Sequence, residues 1–209
     1  MFNLPGITST IKALVQSPNQ VLPHVTVPTL LSLQVPLIVP LTSVRALVLD
    51  KDNCITVPHA QEIYPPLVDK LHELQQKYHV VLLSNTLGLG TSSSSITTFH
   101  GIPVLPHTYQ KPHPSLLPQV LSYFRSLPSS PDKPVPTHPS HIAFVGDRLF
   151  TDILLANSMG AYGIWVRDGI AEGGKYNNIW AGMERQVKTW IERKGRKAPE
   201  VNQLNDEKQ

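Results

Sequence analysis

Two pairs of acidic residues carry the first chemical signal in this chain. Asp50 and Asp52 stand in Leu49-Asp50-Lys51-Asp52-Asn53-Cys54, directly after the apolar run Val44 to Leu49. Side chains at i and i+2 of an extended segment project to the same side, and α/β sheets place their ligands beyond the carboxyl ends of parallel strands. Two carboxylates this close resist simultaneous ionisation unless they share a proton or hold a divalent cation through oxygen ligands. Asp147 and Asp152 repeat the arrangement in Gly146-Asp147-Arg148-Leu149-Phe150-Thr151-Asp152, after the apolar run Ile142 to Val145. A lone aspartate after a strand is usually a helix N-cap. Two acidic pairs behind two apolar runs in one short chain point instead to a common site.

The elements that must position these groups follow from hydrophobic pattern. From residue 44 short apolar runs alternate with longer helical patterns, the arrangement that builds a parallel sheet covered by helices, so the expected class is α/β. Expected strands are Val44 to Leu49, Val80 to Leu83, Ile102 to Leu105, Ile142 to Val145 and Gly163 to Val166. Expected helices are one entered at Pro65 and Pro66 with Leu67, Leu71, Leu74 and Tyr78 on one face, then Ser115 to Arg125 and Ile153 to Met159. Pro is favoured in a first helical turn because its missing N–H is not needed there. Between Leu127 and Ser140 five of fourteen residues are proline, too many for a regular element, so residues 127–140 read as a surface insertion.

The 209 residues, 41% hydrophobic and 16% charged, suffice for one core and exclude disorder throughout. A single cysteine, Cys54, excludes an intrachain disulfide framework and a cysteine-clustered zinc site. Residues 1–43 contain one charged side chain, Lys12, and are expected to form an apolar, membrane-associating segment ahead of a core at 44–178. Ile7, Ile11, Leu14 and Val15 recur at the spacing of a short amphipathic helix. Pro28, Pro36 and Pro40 exclude a transmembrane helix in the uncharged stretch that follows. At the other end, residues 179–209 are expected to form a basic amphipathic helix and tail, with Ile179, Trp180, Met183, Val187, Trp190 and Ile191 on one face. Residues 185–197 there carry six basic side chains against Glu192, a local +5 that exceeds the +3 of the whole chain. An anionic partner such as a bilayer surface fits that charge.

With these residues in view, the chain resembles the haloacid dehalogenase superfamily of phosphohydrolases, whose four motifs occur here in order across roughly residues 44–168. Asp50 and Asp52 match the first, Ser84 in Leu82-Leu83-Ser84-Asn85-Thr86 the second, Lys111 in Gln110-Lys111-Pro112 the third, and Asp147 with Asp152 the fourth. The resemblance implies a Rossmann-like parallel sheet flanked by helices. It implies that Asp50 is the nucleophile that becomes an aspartyl-phosphate, and that Asp52 is the general acid and base. Ser84 and Lys111 would clamp the phosphate, and Asp50, Asp52 (through its backbone carbonyl), Asp147 and Asp152 would serve a Mg²⁺ site. Only 26 residues separate Ser84 from Lys111, leaving no room for a large cap domain, so the site is expected to be open to a large or embedded substrate.

A finer resemblance is to the mitochondrial phosphatidylglycerophosphatase branch, carried by residues 49–54, by Val145-Gly146-Asp147-Arg148-Leu149-Phe150-Thr151-Asp152 and by Ile164-Trp165-Val166-Arg167-Asp168-Gly169. It implies hydrolysis of phosphatidylglycerophosphate to phosphatidylglycerol, the precursor of cardiolipin, by a peripheral protein on the matrix side of the mitochondrial inner membrane. Asn85, Arg148 and Arg167 are candidates for contact with the anionic substrate. The competing expectations are a capless phosphatase of phosphoproteins or nucleic-acid ends and a non-catalytic membrane-binding module. No aromatic and basic interleaving beside the acidic motifs would read bases, so no nucleic-acid partner is expected. A cysteine phosphatase loop of the form Cys-x5-Arg would need arginine where Ala60 stands, which excludes Cys54 as nucleophile. His138 and His141, inside and beside the proline-rich stretch, read as solvent-facing, and His59 as structural.

Overall fold

The structure, a computed structural model, describes residues 16–38, 40–90, 98–170 and 179–202, with side chains from residue 182 onward in the last of these. The amphipathic helix expected around residues 7–15 and the side chains of Ile179 and Trp180 lie outside the described residues.

Five parallel strands form the main sheet in the order β1-β7-β6-β2-β3. These are β1 (Val25–Val27), β2 (Ala46–Leu49), β3 (His79–Leu82), β6 (Ile142–Gly146) and β7 (Tyr162–Val166); β4 (Thr98–Phe99) and β5 (Ile102–Pro103) make a separate antiparallel hairpin. Strands β2, β6 and β7 are buried along their whole length. That is why they read as unbroken apolar runs: parallel strands are covered on both faces. Alternate residues serve opposite faces. Leu47, Leu49, Ala143, Val145 and Ile164 join one core with helix α1 (Val68–Lys77), while Ala46, Val48, Ile142 and Phe144 join the other with α2 (Leu116–Arg125) and α3 (Leu154–Ser158).

The boundary expected at residue 43 is not a boundary in packing. β1 pairs with β7 as an edge strand, and Leu30, Leu33, Leu37 and Leu41 of the irregular chain that follows lie against the first core. The prolines bar an α-helix here, the segment makes only a short 3₁₀ turn at Leu30–Ser32, and its leucines pack on the core shared with α1. The Leu37 N–H donates to the Tyr78 hydroxyl at 2.8 Å. Residues 1–43 carry Val21, Leu22, Val27, Leu30, Leu33, Leu37 and Leu41 into the interior. At roughly 1.5–3 kcal/mol for each side chain, their burial is at least as large as the roughly 5–15 kcal/mol net stability of a domain. Deletion of residues 1–43 therefore yields an unfolded or insoluble chain. Retention of a cooperative thermal transition by the truncated protein would refute this.

Other differences are local. The run at Ile102 to Leu105 supplies β5 to the hairpin and then lies along β3, through a bridge between Leu82 and Val104 and a hydrogen bond from the Leu105 N–H to the Leu82 carbonyl at 2.8 Å, without becoming a strand of the main sheet. His141 is buried at the start of β6, and His138 accepts the Ser140 N–H at 3.2 Å, so neither faces solvent freely. The proline-rich insertion is tethered by Lys133, whose Nζ donates to the Gln75 carbonyl at 2.6 Å.

Helix α4 (Ile179–Arg193) runs antiparallel to the strands. Arg185 near its start donates to the Arg167 carbonyl beyond the end of β7, whereas Pro199 beyond its end contacts His24 at the start of β1. The basic residues 193–197 thus lie toward the amino edge of the sheet. The apolar row expected on one face of α4 is split. Val187 and Ile191 pack on the third core cluster with Leu149, Leu154 and Trp165, while Met183 and Trp190 are exposed and Lys194 sits 3.8 Å over the Trp190 ring. The core meets only the Val187 and Ile191 edge of this stripe, and buried Glu184 lies next to that edge, so the docked face of α4 is rotated away from Met183 and Trp190.

Candidate active site

All four motifs meet beyond the carboxyl ends of β2, β3 and β6. Asp50 follows β2 and its N–H is held by the Val145 carbonyl of β6 at 2.8 Å. Lys111 is buried, with Nζ 2.6 Å from Asp50 Oδ1 and 2.6 Å from Asp152 Oδ1. The two carboxylates raise the Lys111 ammonium above its usual range although burial opposes them. Asn85 is committed to the backbone of Lys111: Oδ1 accepts the Lys111 N–H at 2.8 Å and Nδ2 donates to its carbonyl at 3.4 Å. The structure therefore gives Asn85 the task of aiming the lysine.

Asp52 points to the same mouth and is held by three groups. Its Oδ1 accepts the His59 N–H at 2.8 Å and faces Lys51 Nζ at 3.3 Å, and its Oδ2 accepts the Thr86 hydroxyl at 2.8 Å. Burial alone would raise this carboxyl, but those hydrogen bonds outweigh it and hold it below the usual carboxylate range. Lys51 is itself buried, donating to the Ala60 carbonyl at 2.7 Å and lying 5.5 Å from the Phe99 ring centroid. The loop after Asp52 and the β4–β5 hairpin are braced together in this way, and His100 reaches the Gln61 carbonyl at 2.8 Å.

Oxygens of Asp50, Asp147 and Asp152 lie within 4.8 Å of one another. Burial, then the neighbouring charges, lifts Asp147 to about 7, and burial lifts Asp50 to about 6 against the pull of Lys111. Asp147 Oδ1 is buried with no hydrogen-bond partner among the described residues, while Oδ2 accepts from Asn53 Nδ2 at 2.8 Å. An all-oxygen cluster with one lone carboxylate oxygen turned inward suits a hard divalent cation such as Mg²⁺, whose charge would relieve the repulsion that raises these groups. Asp52 contributes no carboxylate to that cluster, since its oxygens are taken by His59, Thr86 and Lys51.

The two remaining candidates lie at the rim. Arg148 is exposed, and its backbone N–H donates to Asp152 Oδ2 at 3.3 Å. Arg167 is exposed and pairs with Asp168 through two hydrogen bonds of 2.9 and 2.8 Å. Cys54 is fully buried, and burial pushes its thiol well up, so it is inert.

Several supporting residues escape a reading of motifs. Thr86 joins the Ser84 hydroxyl, 2.8 Å away, to Asp52, and its nearness to Ser84 in sequence was the available signal. His107 ties the second and third motifs together, its ring nitrogens lying 3.0 Å from the Ser84 carbonyl and 2.7 Å from the Tyr109 carbonyl. A Cβ at Gly146 would fall 2.3 Å from the Asp152 carboxylate, so only glycine lets that aspartate fold back over the strand end. Glu184 on α4 has no sequence signal at all. Because Thr86 is exposed, Thr86→Val is expected to leave folding intact while lowering kcat by about 10- to 100-fold through loss of Asp52 orientation. Steady-state kinetics beside a thermal melt checks this.

Fold and site together define a parallel α/β protein with a carboxylate and lysine centre for phosphoryl chemistry. The chain belongs to the mitochondrial PGP phosphatase family, whose model matches residues 4–171. It is 38% identical to the mitochondrial phosphatidylglycerophosphatase of Saccharomyces cerevisiae over 176 residues, covering 80% of this chain and 89% of that protein. To the "Probable phosphatidylglycerophosphatase, mitochondrial" of Schizosaccharomyces pombe it is 33% identical over 91% of each chain. A phosphatidylglycerophosphate phosphatase of Arabidopsis thaliana, chloroplastic and mitochondrial, is 28% identical over 76% of this chain and 44% of its own length. No solved structure matches the chain.

Proposed function

We propose that this protein is a Mg²⁺-dependent phosphatase that removes the terminal phosphate of phosphatidylglycerophosphate through an aspartyl-phosphate on Asp50. The observation that carries the chemistry is Lys111 bridging Asp50 and Asp152 beside Asp52, and family membership supports the substrate. Asp50 Oδ attacks phosphorus as the bond from phosphorus to the glycerol oxygen breaks. Asp52 gives its proton to that leaving oxygen, the approach of the phosphate dianion favouring the protonated carboxyl. In the second half Asp52 takes a proton from water, whose oxygen attacks phosphorus and frees Asp50 with inorganic phosphate. Lys111 neutralises the equatorial oxygens throughout, and the Ser84 hydroxyl donates to them. Asp50, Asp147 and Asp152, with the Asp52 carbonyl, would hold Mg²⁺, which when bound supplies positive charge for the phosphoryl oxygens.

The product is phosphatidylglycerol for cardiolipin synthesis, and the place of action is the matrix face of the mitochondrial inner membrane. The names of the relatives support the mitochondrial part of this reading. No helix among the described residues is long and apolar enough to cross a membrane. On this reading an embedded substrate is met at the carboxyl edge of the sheet, where the acidic cluster lies and Arg148 and Arg167 are exposed. The basic residues 193–197, at the other edge, are poorly placed to hold that mouth on a bilayer.

The test is Mg²⁺-dependent phosphate release from phosphatidylglycerophosphate in mixed micelles, beside a phosphopeptide and a 5′-phosphorylated oligonucleotide. Strong preference for the lipid supports the proposal, whereas preference for either polymer overturns the substrate and the membrane placement together.

A further inference from the structure

We infer that Glu184 of α4 is a positioning residue for the metal-binding loop, which makes the C-terminal helix a working part of the active site. Glu184 is 6% exposed, and its two oxygens divide two backbone donors between them. Oε2 accepts the Leu149 N–H at 3.1 Å and Oε1 the Phe150 N–H at 3.2 Å. These N–H groups open the single turn of π-helix, Leu149–Ile153, that leads into α3. The first N–H groups of a helical run have no partner within it. Here three in succession are met by carboxylates, since the Arg148 N–H donates to Asp152 Oδ2 at 3.3 Å.

The turn so fixed has Asp147 at its entrance and Asp152 within it. A wider π-turn returns Asp152 across Gly146 to Lys111 while Asp147 stays at the strand end. Glu184 reaches these two N–H groups from 35 and 34 positions away, so the docking of α4 contributes to the shape of the loop. A second contact fixes the same loop from behind, because Trp165 Nε1 donates to the Asp147 carbonyl at 2.9 Å and Lys188 of α4 lies 5.7 Å from the Trp165 ring centroid. Groups that orient metal ligands commonly alter metal affinity by about 10- to 100-fold when removed. Gln at position 184 keeps the shape of the side chain but opposes one of the two N–H groups with its own amide donor.

This inference rests on the reading of Asp50, Asp147 and Asp152 as the Mg²⁺ site. Glu184→Gln is expected to fold, by far-UV circular dichroism and a cooperative melt in EDTA. Its half-saturating Mg²⁺ should be raised tenfold or more, both in the Mg²⁺-induced rise of Tm and in turnover, with KM changed little. Tyr78→Phe, which removes the distant hydrogen bond to Leu37, serves as the control: it lowers Tm without moving half-saturation. Glu184→Asp keeps the charge, shortens the reach and is expected to raise half-saturation as well, which decides the matter if the glutamine variant does not fold. Unchanged half-saturation in the folded Glu184 variants, beside a wild-type chain that responds to Mg²⁺, overturns the role of Glu184 alone. A wild-type chain that shows neither a Mg²⁺-induced rise in Tm nor Mg²⁺-dependent hydrolysis overturns this inference and the metal reading together.

Discussion

Asp50→Asn is expected to produce a folded protein whose phosphate release falls by about 10⁴-fold or more, since a neutral amide cannot form the covalent intermediate and the groups around it act as a unit. The fold should not suffer. Burial lifts the Asp50 carboxyl from 3.8 to about 6, so the folded chain holds that proton more tightly than the unfolded one. Stability contributed by the protonated form is present below pH 3.8 and lost as pH rises through about 6. The amide has no proton to lose. In EDTA at pH 8 the variant should therefore melt at or above the wild-type temperature, and its Tm should fall less between pH 5 and pH 8. Lys111 retains Asp152 as a partner in this variant, which keeps the buried ammonium compensated. Turnover within tenfold of wild type would sink the covalent mechanism, and a Tm far below wild type would show that the Asp50 charge stabilises the fold.

Lys111→Met acts in the opposite direction on stability. It leaves Asp50 and Asp152 facing each other without the cation that lies 2.6 Å from both. Removing one partner of a buried ion pair costs about 3–5 kcal/mol. For a chain of this size about 3 kcal/mol corresponds to a Tm lower by roughly 6–12 °C. Mg²⁺ should recover part of that loss, because a divalent cation among the three aspartates supplies the missing positive charge. Turnover should stay about 10²- to 10³-fold below wild type even at saturating Mg²⁺, the usual cost of removing one preorganised donor from the reacting anion. A melt in EDTA and in Mg²⁺, beside single-turnover rates, checks both halves. An unchanged Tm in EDTA would mean that the lysine is not the counter-charge of these carboxylates.

The sequence by itself determined the class of fold and singled out the acidic residues that the structure brings together. Continuous apolar runs at Ala46–Leu49, Ile142–Gly146 and Tyr162–Val166 are legible because a strand buried on both faces tolerates nothing else, and the clustered carboxylates follow directly from the ends of two of them. Local constraints of that kind leave a local trace. Tertiary structure decided what depends on residues meeting from far apart. The segment of residues 1–43, with Lys12 its one charged side chain, has the composition of a membrane-associating element. Only the unfilled edge of β7 and the uncovered face beside α1 make β1 a strand and Leu30, Leu33, Leu37 and Leu41 core residues. The same holds at the site. Asn85 looks like a substrate ligand until the Lys111 backbone arrives 26 positions later to occupy both ends of its amide. Glu184 sits in a helix that reads as basic and amphipathic, and its carboxylate gains a purpose only where α4 docks against N–H groups of the turn after Asp147. A hydrogen bond to backbone leaves no mark on the sequence of its acceptor, because every residue but proline offers the same N–H.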